Sequence, residues 1–387
     1  MPAFTVDRAR ALHGPTWLVE RRVAAAERVA AGDWPTTEEE IWRYSRIDEL
    51  DLEAFEPGEL HSTVEGADGL LIDAGAPAAS NLVGSVMVDA VDVFAELNSA
   101  FVTEPLLLSV PAGKAVTEPV VITHHVGQDG AAVFPRLVIT AGPDSEITVV
   151  ERFTSAAGVR ALVAPVLELR AEQSARVRYL AVNELGQQVW QIASQAAVAE
   201  RDSTTVMGAV ALGADYARVR TDNVLAGQGA SARQIAVFFA EADQMHDFRT
   251  IQRHVGPRTT SDLLFKGAVT GRSRSVYTGL IEIGHEAKGA NAFQTNRNLK
   301  LSDEAWSESV PNLDIKTNDV RCSHASTVGP IDEDQRFYVE SRGVPPIIAE
   351  RLIVLGFFDE VLDQLPAPAL VPELRRQVVA KLDRKDT

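Results

Sequence analysis

Short apolar runs separated by turn-forming residues make up the chain from about Phe101 onward. Stretches such as PVVITHHV, RLVITA and RVRYLAV are rich in Val, Ile, Leu and Thr, and none is long enough for an ordinary helix. Gly, Asp, Asn, Ser and Pro punctuate the runs, and no helical pattern intervenes over about 200 residues. The pattern predicts a mainly β body and disfavours a doubly wound α/β fold, in which helices alternate with strands.

The β runs recur at a nearly constant interval. Serines precede successive runs with separations of 29, 29, 28 and 30 residues, at Ser145, Ser174, Ser203, Ser231 and Ser261. Turn residues at one edge of a regular period are typical of a β-solenoid, in which each coil has an apolar face that only its neighbours can cover. We therefore expect a β-helix, and a large β-sandwich or barrel is the alternative that the serine positions leave open.

Helical patterns flank this body on both sides. Near the N-terminus, TWLVERRVAAAERVAAG has apolar residues at helical spacing and ends at Gly32, and TTEEEIWRYSRIDEL repeats the pattern after a possible cap at Thr36. Near the C-terminus, an apolar segment from Pro345 to Pro366 and a second segment over 371–384 indicate two helices. The expected regions are an N-terminal helical region over 1–98, a β-helix core over 99–331 and a C-terminal helical region over 332–387.

Charge and cysteine content narrow the possible functions. The 387 residues include 37 Lys and Arg against 54 Asp and Glu, a net charge of −17, and so acidic a surface repels nucleic-acid phosphates and anionic lipids. No apolar run approaches the roughly 18 residues of a membrane span, and the N-terminal segment lacks the apolar stretch of a signal peptide. One cysteine cannot form an internal disulfide. We expect a soluble, cytoplasmic protein that binds neither nucleic acid nor membranes.

Familiar catalytic motifs are missing from the sequence. It has no Walker-type phosphate loop, no Gly-x-Gly-x-x-Gly after a strand, no His-Glu-x-x-His and no Gly-x-Ser-x-Gly. Nucleotide hydrolysis by this chain alone is therefore not expected. The adjacent His124 and His125 would point to opposite faces of a strand, so they cannot form one two-ligand site.

The single cysteine, Cys322, lies two residues before His324, and both side chains are good ligands for a soft or borderline metal. In an extended strand both would point the same way with Cα atoms about 6.5–7 Å apart, which suits neighbouring atoms of a metal cluster. A catalytic Cys–His pair needs the imidazole to reach the sulfur directly, and neighbours on one strand are poorly placed for that. Two interpretations remain open: a buried structural thiol, or a metal site completed by ligands from elsewhere.

Several longer stretches resemble the SufD subunit of the SUF iron–sulfur cluster assembly system, in the SufB/SufD family. The similarity is carried by HDFRTIQRHVGPRTTSDLLFKGAV, RSVYTGLIEI, PNLDIKTNDVRCSHASTVG, AERLIVLGFFDEV and, near the N-terminus, EEIWRYSRID. The resemblance covers most of the chain from about residue 35. It implies a right-handed parallel β-helix between helical terminal regions, in agreement with the repeat.

The resemblance also implies a function. SufD-like chains are non-catalytic scaffold subunits that pair with a SufB-like paralog and bind a SufC-like ABC-type ATPase. A nascent iron–sulfur cluster would form transiently at the shared interface, with Cys322 and His324 as the ligands from this chain. The segment 296–301 lacks the cysteine that SufB-like paralogs carry, which favours SufD. The C-terminal helices would dock the ATPase, and the residues expected there are Ile353, Phe357, Phe358 and Val361.

Other interpretations stay open at this point. A β-helix carbohydrate-active enzyme such as a polysaccharide lyase, or an acyltransferase, would use the same fold for catalysis, although the hexapeptide repeats of β-helix transferases are absent. The same scaffold could also act as a homodimer without its paralog. Packing onto the β body is the simpler explanation for the apolar C-terminal helix. The sequence decides neither whether a flavin binds nor which protein receives the cluster.

Overall fold

The computed structural model describes residues 3–385, so the ends of the predicted terminal regions, residues 1–2 and 386–387, lie outside the described residues. Strands hold 41% of the residues and helices 23%. The strands wind into a β-solenoid of about 8 turns, with helices before and after it. This architecture confirms the predicted mainly β fold class with helical terminal regions.

The N-terminal region combines helices with two short strands. Its elements are α1 (Val6–Ala11), α2 (Thr16–Ala31), β1 (Glu56–Pro57), β2 (His61–Glu65), α3 (Ala79–Leu82) and α4 (Val93–Phe101). Asp92 caps the start of helix α4, because its carboxylate accepts hydrogen bonds from the backbone N–H groups of Phe94 and Ala95, both at 3.0 Å. The region is therefore not purely helical, and its two strands join the sheets of the solenoid.

The solenoid runs from β3 to β20. Its strands are β3 (Leu106–Val110), β4 (Val120–Val126), β5 (Ala131–Val133), β6 (Arg136–Ala141), β7 (Glu146–Ser155), β8 (Ala161–Val163), β9 (Val166–Ala171), β10 (Arg176–Glu184), β11 (Val189–Ala199), β12 (Thr204–Ala211), β13 (Tyr216–Leu225), β14 (Ser231–Ala240), β15 (Met245–His254), β16 (Thr260–Val269), β17 (Arg274–Ile283), β18 (Ala290–Lys300), β19 (Trp306–Ile315) and β20 (Val320–Gly329). Three helices follow, namely α5 (Glu333–Glu340), α6 (Pro346–Leu362) and α7 (Val371–Lys385).

Two long sheets form the walls of the solenoid. The nine-stranded sheet has the order β2-β4-β7-β10-β12-β14-β16-β18-β20, and all its pairs are parallel except the antiparallel pair of β2 with β4. The eleven-stranded sheet has the order β1-β5-β8-β11-β13-β15-β17-β19, with β3, β6 and β9 beside this row. Strands β20 and β19 therefore form the C-terminal edges of the two sheets. The two short N-terminal strands lie at the opposite edges.

The register between strands of neighbouring coils explains the regular spacing of the serines. Direct Cα partners along the nine-stranded sheet are 30, 28, 27 and 29 residues apart, at Glu146, Arg176, Thr204, Ser231 and Thr260. Ser145 and Ser203 lie one residue before this position, and their hydroxyls donate to the carbonyls of Gly142 (2.6 Å) and Glu200 (2.7 Å) at the preceding corner. The serines thus mark the length of a coil, although they do not all occupy equivalent positions.

The segment from Thr36 to Leu50 differs from the predicted helix. The sequence pattern predicts one helix there, but the segment forms turns with short 3-10 helices at Glu40–Trp42 and Ile47–Glu49. Tyr44 has a φ of 65°, a left-handed conformation that interrupts a helix. The buried Trp42 ring lies under the guanidinium of Arg218, 4.0 Å from the ring centre, so contact with the solenoid overrides the helical pattern.

The C-terminal helices pack on the outside of the nine-stranded sheet. Helix α6 places Val354, Phe358 and Val361 in a core shared with β12, β14 and β10. Ion pairs join the same surfaces, because the ammonium of Lys266 bonds to Glu360 and that of Lys381 lies 3.1 Å from Glu241. None of the helices in residues 3–385 is both long and apolar enough to cross a membrane.

Candidate functional site

Cys322 and His324 lie on the last strand of the nine-stranded sheet. Strand β20 pairs with β18 in parallel, and the register sets Cys322 beside Ala292 and His324 beside Gln294. No strand of the described chain pairs with the other edge of β20. The two predicted ligands therefore occupy the terminal coil of the solenoid.

Both side chains point towards the lumen. Neighbouring residues on a strand face opposite sides of a sheet, and equivalent positions in parallel coils face the same side. The residues in register below Cys322 are small and fully buried, at Ala292 and Ser261. Cys322 itself packs against the buried cluster that contains Ile283 and Ala290. The expectation that Cys322 and His324 share a face fits this register.

The two candidate ligands differ in exposure. Cys322 is half-buried, and burial raises the pKa of its thiol above the ordinary value. His324 is exposed at the open end of the lumen. Because the thiolate is the form that binds metals, Cys322 needs a nearby cation or metal to lose its proton at neutral pH.

The coil beneath these residues has a polar lumen. Gln294 is 1% exposed, and neither atom of its amide finds a hydrogen-bond partner in the described structure. Ser309 links three strands, since it accepts from Asn296 Nδ2 at 2.9 Å and from the hydroxyl of Ser326 at 2.6 Å. Buried polar groups of this kind normally bind water or a ligand. The end of the lumen is therefore polar where the earlier coils are largely aliphatic.

The site is incomplete within one chain. Within residues 3–385, no group of three or more His, Cys, Asp and Glu side chains is arranged to hold a metal ion. Cys322 and His324 supply two donors, whereas a closed iron–sulfur or zinc site commonly uses four. Any metal cargo held here needs ligands from a partner, a carrier or solvent.

The four predicted docking residues differ in burial, and two of them are inaccessible to a partner. Phe358 and Val361 are 0% exposed and lie in the core between α6 and the sheet, which corrects their assignment to a partner surface. Ile353 and Phe357 are half-buried, and the ammonium of Lys266 lies 4.5 Å from the centre of the Phe357 ring. The mostly apolar sequence of α6 does not indicate which side of the helix meets the sheet, because apolar residues occupy both sides.

Other apolar residues form the exposed surface of the C-terminal helices. On α6 these are Ile347, Ile348 and Leu352, which are 62%, 43% and 53% exposed. On α5, Phe337 and Tyr338 are 72% and 59% exposed, and none of the α5 residues is buried. We call Ile347, Ile348 and Leu352 the α6 patch.

Reasoning from the sequence missed the polar residues around the ligands. Gln294 lies 30 residues before His324, which is one coil, so the repeat could have placed it below that histidine. Ser309 and Ser326 come from different sheets, and no spacing within a single strand indicates their contact.

The chain matches the family model of the SUF system FeS cluster assembly SufBD core domain over residues 123–357. The iron–sulfur cluster assembly SufBD family protein Rv1462 of Mycobacterium tuberculosis is 30% identical over 374 residues, which cover 92% of this chain and 90% of that protein. The related protein ML0594 of Mycobacterium leprae is 28% identical over 96% of this chain and 95% of its own length. The iron–sulfur cluster assembly protein SufD of Bacillus subtilis is 29% identical over 75% of this chain and 66% of its own length.

Proposed function

Since this chain belongs to the SufBD family of SUF-system iron–sulfur cluster assembly proteins, we propose that it is a SufD-like scaffold subunit on which a cluster is assembled as cargo. The observation that carries the proposal is the position of Cys322 and His324 on the last strand, whose outer edge is unpaired, with both side chains facing the open lumen. Two donors suit a cluster that must be released, because four strong ligands from one chain would retain it.

The partner that completes the site is proposed to be a second solenoid, a SufB-like paralog. In the coils before the last one, the lumen-facing residues Ile281 and Ile283 are fully buried by the following coil. Their partners in β19, Leu313 and Ile315, are 36% and 41% exposed because no coil follows. An uncovered apolar layer beside unpaired strand edges favours another β-solenoid as its cover. A homodimer of this chain is the alternative cover.

ATP hydrolysis is assigned to a separate SufC-like ATPase. The chain has no phosphate-binding loop of its own, and the α6 patch offers an exposed apolar surface for a partner. The proposed docking surface is this patch together with the half-buried Ile353, while Phe358 and Val361 support it from beneath. The scaffold would then connect a partner bound outside the sheet with the cluster site at the end of the lumen.

The cluster proposal is tested by anaerobic purification of the complex from the native host. Iron, acid-labile sulfide and subunit identities are measured for the wild type and for His324→Ala. We expect the variant to retain its partner subunits but to lose most of its iron and sulfide, because the exposed imidazole is one of two donors. Cys322→Ser should have a comparable or milder effect, since a half-buried thiol also contributes to packing.

Ser323→Ala is the matched control. Ser323 lies between the two candidate ligands, is exposed and faces away from the lumen, so its loss should leave iron and sulfide unchanged. Wild-type cluster content in His324→Ala would contradict the ligand role. If the purified complex carries a cluster and contains only this chain, the partner is a second copy of the chain and not a SufB-like paralog.

ATPase docking is tested with Leu352→Asp. This side chain is exposed, so the charge should weaken binding of the SufC-like subunit at least tenfold without unfolding α6. Binding is measured by calorimetry, and helicity by circular dichroism. Arg376→Asp, which changes a charge at an exposed position of α7 rather than α6, is the control for a purely electrostatic effect. Unchanged affinity in Leu352→Asp with native helicity would refute the docking assignment.

A further inference from the structure

A hydrogen-bonded row of a serine, a histidine and a glutamate crosses three neighbouring strands at the N-terminal end of the solenoid. The hydroxyl oxygen of Ser62 lies 2.7 Å from Nδ1 of His124, and Nε2 of the same ring lies 3.0 Å from Oε1 of Glu151. Strand register brings them together, because Ser62 on β2 is the direct partner of His124 on β4, and β4 pairs with β7, which carries Glu151. A nucleophile, a base and a group that orients the base thus lie in line.

The surrounding hydrogen bonds determine where the protons are. The hydroxyl of Tyr179 donates to the second oxygen of Glu151, and burial raises the pKa of Tyr179 well above its usual range, so this proton is retained. A carboxylate accepts only, so the hydrogen between His124 and Glu151 belongs to Nε2 of the histidine. Nδ1 of the neutral ring is then an acceptor, and the hydroxyl of Ser62 donates to it.

Burial and ring stacking hold the histidine in place. His124 is 3% exposed and Glu151 is 2% exposed, so neither side chain can easily turn towards water. The imidazole stacks on the ring of Phe153, with ring centres 5.4 Å apart and planes at 29°. A base with a fixed tautomer and orientation is the arrangement that activates a serine in acyl-transfer enzymes.

The serine faces an open cavity. Ser62 is exposed, and both Ser62 and His124 line a cavity of about 540 Å³, a volume in the range of small-molecule sites. Polar and apolar surface contribute about equally to its wall, and the apolar residues include Leu60, Phe101, Leu106 and Phe134. Arg8 lies at the same cavity, and its guanidinium donates to Glu56 and to the carbonyl of Pro57. The apolar part of the wall can therefore contact an apolar group next to a reactive hydroxyl.

We propose that Ser62 is the nucleophile of a second site, with His124 as its general base and Glu151 as the residue that positions the base, for carboxylic esters with an apolar acyl group. The first and last coils are separated by seven strand steps from β4 to β20, which is roughly 34 Å at about 4.8 Å per step. The site shares no residue with Cys322 and His324. Its success or failure is therefore independent of the scaffold function.

The reaction requires only the ester and water. Ser62 Oγ attacks the acyl carbon and forms an O–C bond while its proton moves to Nδ1 of His124. The tetrahedral intermediate expels the alkoxide, which takes the proton from His124 and leaves as an alcohol. Water then attacks the acyl-serine, gives a proton to His124 and releases the carboxylic acid as the proton returns to Ser62. Glu151 stabilises the imidazolium in both steps without taking its proton.

The test uses diisopropyl fluorophosphate on the purified full-length chain at neutral pH. Mass spectrometry should find one adduct per chain, and peptide mapping should place it on Ser62. Ser62→Ala should abolish the adduct, while His124→Gln and Glu151→Gln should slow its formation at least about 100-fold, the lower range for loss of general-base assistance. Hydrolysis of p-nitrophenyl butyrate should exceed that of the acetate, because the longer acyl group contacts the apolar wall.

Thr63→Ala is the matched control, since Thr63 is the exposed neighbour on the opposite face of β2 and its removal should leave the rate unchanged. An absent adduct, adducts spread over several serines, or equal rates in wild type and His124→Gln would overturn the proposal and leave the row as a structural network. If a variant at a buried position fails to fold by circular dichroism, the labelling of Ser62 in the wild type and its loss in Ser62→Ala decide the outcome.

Discussion

Phe358 is predicted to hold helix α6 on the solenoid rather than to bind a partner. Its ring is 0% exposed, and its centre lies 6.0 Å from that of Phe239 on β14, with the planes at 24°. Val354 and Val361 of the same helix pack into the same core. Phe358→Ala would leave a cavity between α6 and the sheet, and such truncations of buried phenylalanine cost about 3–5 kcal/mol.

The loss should appear as local opening of the C-terminal helices. Because each 1.4 kcal/mol is a factor of ten, a loss of about 3–5 kcal/mol lowers amide protection in α6 by roughly 100-fold to 4,000-fold where exchange occurs through undocking of the helix. Hydrogen–deuterium exchange followed by mass spectrometry measures this quantity peptide by peptide. Protection in β13 of the eleven-stranded sheet should change little, since no residue of that strand belongs to the core around Phe358.

Leu352→Ala provides the comparison on the same helix. Its side chain is 53% exposed, and surface substitutions of this kind stay within about 0.5 kcal/mol. Protection of α6 should therefore remain within about threefold of the wild type in this variant. If Phe358→Ala retains α6 protection within tenfold of the wild type, the ring does not anchor the helix, and the burial argument against a docking role for Phe358 is refuted.

Three further predictions concern packing, pH and the thiol. A Cβ at Gly267 would lie 1.9 Å from the ring of the buried Phe238, so Gly267→Ala should destabilise the chain by about 1–3 kcal/mol or more in denaturant unfolding. Gly356→Ala on α6, where a Cβ meets nothing within 4 Å, should stabilise it by about 0.5–1 kcal/mol. Burial lowers the pKa of His246 to about 3. The unfolded state therefore binds the extra proton below pH ~6.5, and the free energy of unfolding should fall by up to about 1.4 kcal/mol per pH unit from there towards pH 3. In His246→Gln the Tm should fall less steeply over this pH range. If the Tm of the variant and of the wild type fall with the same slope, the assignment to His246 is wrong. Because burial raises the pKa of Cys322, iodoacetamide should alkylate it more slowly at neutral pH than a cysteine in an unfolded peptide; equal rates, measured by mass spectrometry on the isolated chain, would show that the thiol is not shielded.

The repeating architecture follows from the amino-acid sequence alone. Short β runs at an interval close to one coil are local features, and each run needs only its own residues to be recognised as a strand. The i, i+2 spacing of Cys322 and His324 likewise predicts a shared face, because side-chain alternation along a strand is a property of the extended backbone. The opposite directions of His124 and His125 follow from the same rule, and His124 indeed bonds to Ser62 while His125 bonds to Thr154.

Which face of the sheet or helix each side chain occupies, and what it contacts there, depends on contacts between elements that are distant in sequence. Whether Cys322 points to the lumen depends on how β20 stacks on β18, and the burial of Phe358 depends on which side of an apolar helix meets the sheet. The segment around Trp42 has a helical sequence pattern but forms turns, because Trp42 packs against Arg218, 176 positions later in the chain. The row from Ser62 through His124 to Glu151 joins three strands of the first coils. In each case the contact that sets the outcome joins residues far apart in sequence. A local pattern of apolar and polar residues predicts a strand or a helix, but it carries no information about the energy of such a contact.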